Sequence, residues 1–103
     1  MDVKTVMDLL EVREKQALAF CHVYKEKLSY EDLQSAIDCY CNNMADSLIQ
    51  RCTTLIYEEK FRNDLKRQLH NLGADKPHSG KRAYEAFYKK IIELEKKVNL
   101  LDK

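Results

Sequence analysis

Every strong breaker of regular structure in this chain sits in one short stretch. Two Gly and one Pro occur in 103 residues, and Gly73, Pro77 and Gly80 all fall between positions 73 and 80. A sheet protein needs turn residues at short intervals along its whole length. This chain offers them once. Abundant Leu, Ala, Lys and Glu favour helix intrinsically. The fold class expected is therefore all-α: a helical hairpin plus a C-terminal heptad-patterned helix, packed as an elongated bundle within a single domain spanning 1–103.

The first helix is expected over about 2–27. Asp2 can cap it, and Val3, Val6, Leu10, Ala17, Cys21, Tyr24 and Leu28 recur at helical spacings. Arg13 and Glu14 interrupt that stripe, either as a solvated patch or as a polar contact with a neighbouring helix. Ser29 is the clearest helix start, because acids at Glu31 and Asp32 follow it in the first turn. A turn so short implies an antiparallel hairpin. Residues 30–72 hold no Gly and no Pro, and as one rod they would measure about 60 Å. Leu33, Ile37, Cys41, Met44, Leu48, Cys52 and Leu55 share one face. Tyr57, Phe61, Leu65, Leu69 and Leu72 share another, turned by roughly a quarter circle. One long element is favoured; either it kinks near 53–58, where Thr53, Thr54 and Ile56 are β-branched, or its two halves meet different partners. Gly73 ends it, residues 73–80 form the loop, and the last helix is expected over 81–102.

That last helix carries a heptad seam. Tyr84, Phe87, Ile91, Leu94, Val98 and Leu101 are separated alternately by three and four residues. With Tyr84 at position a, β-branched Ile91 and Val98 are also a, while Phe87, Leu94 and Leu101 are d. This choice favours parallel two-stranded coiled coils. Lys90 and Lys97 take position g, and Glu95 and Asp102 take the e positions that would face them from a second chain. The same stripe would also serve as the core face of a monomeric bundle. The reading favoured here is a homodimer, with the six apolar residues as partner-binding anchors and Lys90, Glu95 and Lys97 selecting the partner.

Charge suggests a second surface. The net charge is +1, yet residues 1–50 hold five Lys and Arg against nine Asp and Glu, and residues 51–103 hold thirteen against eight. The halves could pair within the molecule, between molecules, or with another partner. Lys60, Arg62, Lys66, Arg67, Lys81 and Arg82 form a candidate nucleic-acid-binding face. Glu58, Glu59 and Asp64 interleave with them, and few side chains stand ready to read bases.

Chemistry-bearing motifs are scarce. Cys39 and Cys41 lie about 200° apart on a helix and cannot chelate one metal together. Cys41 and Cys52 fall on the apolar stripe, where free Cys acts as a small hydrophobe. His22, His70 and His78 are scattered. No phosphate-binding loop or nucleophile signature occurs. No metal and no cofactor is expected, and no enzyme. The first residues lack a signal-peptide pattern and no apolar run would span a bilayer, so a cytoplasmic location without membrane contact is expected. The function expected is a non-enzymatic protein–protein interaction module, a small homodimeric regulator or adaptor acting by helix–helix recognition. The alternative is a nucleic-acid-binding regulator using the basic face of residues 60–82.

Overall fold

The computed structural model describes residues 1–101, with the backbone alone at Leu100 and Leu101. Four helices follow one another: α1 (Val3–Tyr24), α2 (Tyr30–Ile56), α3 (Glu59–Asn71) and α4 (Arg82–Leu101). Among the described residues there is no strand, so the all-α expectation holds. Every helix touches the other three, and α4 lies chiefly along α2. The molecule measures 48 × 27 × 23 Å, its long axis set by α2, whose 27 residues span about 40 Å.

Local chemistry starts α1 and α2 where the sequence points. Asp2 accepts hydrogen bonds from the Thr5 backbone N–H at 2.8 Å and its hydroxyl at 2.7 Å, which holds the Asp2 carboxyl below its ordinary range. Ser29 Oγ accepts from the Asp32 N–H at 3.3 Å. The first helix stops at Tyr24 rather than Lys27, and residues 25–28 form the turn, with the Leu28 N–H bonded to the Tyr24 carbonyl. Phe20 and Tyr40 stack across the hairpin at 4.9 Å.

The 30–72 segment is two helices and not one bent element. The disturbance begins at Cys52, whose φ of −115° and ψ of 18° leave the helical region. There the thiol donates to the Leu48 carbonyl at 2.9 Å and Thr53 Oγ1 to the Ile49 carbonyl at 2.6 Å, back-bonds that tend to bend a helix. Five residues later the chain leaves helix at Tyr57 and Glu58. The break turns the second stripe inward: Leu65 and Leu69 are fully buried and Phe61 half-buried, while Tyr57 stays outside. Arg62 then donates to the Ile56 carbonyl at 3.2 Å, satisfying one acceptor that the end of α2 exposes.

Gly73, at φ +80°, ends α3 in a Schellman motif. The Ala74 N–H reaches the Leu69 carbonyl and the Gly73 N–H the His70 carbonyl. The following loop is anchored by buried Ala74, and it returns α4 to the chain's own core. Phe87 and Ile91 are 0% exposed there and Tyr84 nearly so, with small Ala83 and Ala86 buried beside them. The core joins them to Val6, Leu10 and Ala17 of α1, Leu33 to Ile56 of α2, and Leu65 and Leu69 of α3.

Candidate functional site

The seam of α4 divides into two parts. Its first half, Tyr84, Phe87 and Ile91, fills the core of the single chain. Burial, with Glu11 and Glu14 nearby, also pushes the Tyr84 hydroxyl up. Its second half, Leu94 and Val98, is half-buried at the far end of the helix. The side chain of Leu101, and Asp102 altogether, lie outside the described residues.

The charges expected to select a partner have companions within the chain. Lys90 bridges to Asp46 of α2 at 3.2 Å and approaches Glu93 at 3.9 Å. Glu95 accepts from Lys66 of α3, the nearer contact 2.8 Å long and about a quarter exposed on both sides. A Lys90–Glu95 pairing between two chains would have to displace both contacts. Lys97 is exposed and is the member of that set facing solvent.

The basic face is likewise drawn into the fold. Arg82 pairs with Asp38 at 3.1 Å and donates to Gln34, Arg67 pairs with Asp64 at 3.1 Å, and Lys66 and Arg62 are engaged as described above. Lys81 lies 5.4 Å from the centre of the Tyr84 ring, within cation–π range. Lys60 is exposed. The acidic first half and basic second half thus meet inside one molecule, through Asp38–Arg82 and Asp46–Lys90.

Glu14 resolves the interruption in the first stripe. It is 9% exposed, and its Oε2 accepts from the Ala83 N–H at 2.8 Å, across 69 residues of sequence. The first turn of α4 leaves N–H groups without helical partners, and a carboxylate from another helix satisfies one of them. It also faces the positive end of the helix dipole. The signal for this contact was a lone acid in an apolar stripe.

The thiols are separate. Cys41 and Cys52 are buried, Cys21 is half-buried and Cys39 is exposed. Burial foremost, then the charges of Glu14 and Asp38, pushes the Cys41 thiol to about 12, and burial raises Cys52 as well. Neither is a ready thiolate. Among the described residues no three His, Cys, Asp or Glu side chains gather as a metal site would require, and no helix is long and apolar enough to cross a membrane.

No protein family, no curated protein and no solved structure matches this chain.

Proposed function

We propose that the chain is a non-enzymatic protein–protein interaction module, a small regulator or adaptor that pairs with a second copy of itself through the distal half of α4. The observation supporting this reading is the division of the seam. A heptad pattern whose proximal residues fill the core continues into Leu94 and Val98, which the chain's own helices cover only in part. Partial cover leaves apolar area that a facing helix can remove from water, at about 25 cal/mol per Å². Exposed Lys97 beside it can face an acid of the opposite helix, and the sequence supplies Asp102 at the matching position in parallel register. Tyr84, Phe87 and Ile91 then position the helix rather than touch the partner.

Leu94→Asp combined with Val98→Asp separates these roles. Sedimentation velocity is expected to show a dimer for the unaltered chain and a monomer for the double variant, with helical circular dichroism retained. A dimer that survives the double variant, or an unaltered chain that stays monomeric at the highest attainable concentration, would overturn the reading.

A further inference from the structure

A groove of about 440 Å³ lies between α1, the end of α3 and the start of α4, within the size range of small-molecule sites. Met7 and Leu72 give it an apolar wall, and Tyr84 lines it as well. Tyr84 is only 6% exposed. Its hydroxyl has no hydrogen-bond partner among the described residues, and it is not one of the atoms sealed from solvent. A buried tyrosine hydroxyl usually finds a partner. This one opens into the groove unpaired, with the charges of Glu11 and Glu14 acting on it.

Glu14 is a second buried polar side chain at the same opening, 9% exposed. Its Oε2 is taken by the Ala83 N–H. Neither lysine of the groove pairs with it among the described residues. Lys15 is 3.8 Å from Glu11, with both side chains largely in solvent, and Lys81 lies over the Tyr84 ring. Exposed pairs such as Lys15–Glu11 contribute little. A carboxylate withdrawn from water is costly unless a counter-charge approaches it. Asp8, Glu11 and Glu14 thus face two lysines across one groove, and the deepest of the three acids is the one without an ion pair.

A hydroxyl without a donor and a carboxylate without a cation share one opening. Among the described residues no three His, Cys, Asp or Glu gather closely enough to hold a metal ion there. A primary ammonium meets both needs, because it brings a positive charge and three N–H donors.

We propose that this groove binds a primary alkylammonium group, carried by a free amine or by a lysine side chain. Its nitrogen donates to the Tyr84 hydroxyl, Glu14 and Glu11, and its alkyl stem lies against Met7 and Leu72. The site is built on the start of α4, so it stands apart from any pairing through the distal half of that helix.

The test follows backbone amide shifts of the isotope-labelled full chain near neutral pH during titration with four probes. These are n-hexylamine, hexyltrimethylammonium (the same charge without N–H donors), 1-hexanol (no charge) and lysine blocked at both ends. Hexylamine is expected to give saturating shifts centred on residues 7–15, 72 and 81–84. Hexyltrimethylammonium and hexanol should bind at least about tenfold more weakly, the scale of one charge-assisted hydrogen bond. Tyr84→Phe keeps the ring in the core and should weaken hexylamine binding about threefold to tenfold. Glu14→Gln keeps an acceptor for Ala83, removes the charge, and should weaken it at least about tenfold. Should Glu14→Gln fail to fold, Glu11→Gln at an exposed position should weaken hexylamine binding too. Blocked lysine saturating at the same residues identifies a protein side chain as the source of the ammonium; hexylamine binding alone identifies a small amine. The proposal is overturned by any of three results. These are no saturation up to about 10 mM, hexyltrimethylammonium or hexanol binding as tightly as hexylamine, and undiminished binding in folded Tyr84→Phe.

Discussion

Glu14 shows how a single side chain can tie together distant parts of a chain. As the remote cap of α4 it replaces the Ser, Thr or Asp that usually sits beside a helix start. Position 81, just before Arg82, is a lysine, whose side chain has no acceptor to offer a helix N–H. Glu14→Ala should therefore cost about 1–2 kcal/mol, the range for losing a cap and leaving a buried N–H unpaired. Glu14→Gln, which keeps an acceptor in place, should lose less. Urea unfolding of the two variants measures the difference. A single acid breaking an apolar stripe was legible in the sequence as either solvated or engaged; which of the two depended on a helix start almost seventy positions away, and no local pattern carries that information.

At the scale of the element, boundaries made by local chemistry were legible and those made by packing were not. Ser29 and Gly73 act through their own side chain or their own lack of one, so both were readable in place. Gly73→Ala should destabilise the fold by about 1–2 kcal/mol in thermal or urea unfolding. The loss is conformational, since a Cβ added there would meet no atom within 4 Å. The end of α2 carries no such mark. Its break follows β-branched Thr53, Thr54 and Ile56, which weaken helix only slightly, and beyond it Leu65 and Leu69 are buried in the core. The quarter-circle change of stripe registered that tension but could not say whether a long helix would bend or divide. The seam of α4 raised a related ambiguity. Heptad spacing states that a face is buried and is silent about what buries it, so the occupancy of Phe87 and Ile91 by the chain's own helices emerged only from three-dimensional packing.

At the scale of the whole fold, no helix among the described residues stands apart. All four contribute to one core, and the largest of its fully buried side chains is Phe87. Phe87→Ala should cost about 3–5 kcal/mol, a large part of the 5–15 kcal/mol that holds a typical domain folded. Because each helix touches the other three, the variant should melt in one cooperative transition at lower temperature, with far-UV dichroism and tyrosine fluorescence declining together. Early loss of one helix ahead of the rest would show that the core is not shared in this way. Ion pairs at the surface of the α2–α4 contact add direction more than strength, since exposed pairs contribute little individually.

The bridge from Glu14 to Ala83 also sets a schedule. A chain made from its N-terminus presents the carboxylate first, and at roughly 5–20 residues per second its donor is synthesised about 3–14 s later. During that interval α1 and α2 have no α4 to cover their apolar faces, and the acid within that surface keeps part of it wetted. The late arrival of one backbone N–H then converts a solubilising charge into an internal fastening, so the same residue serves the nascent chain and the finished fold in opposite ways.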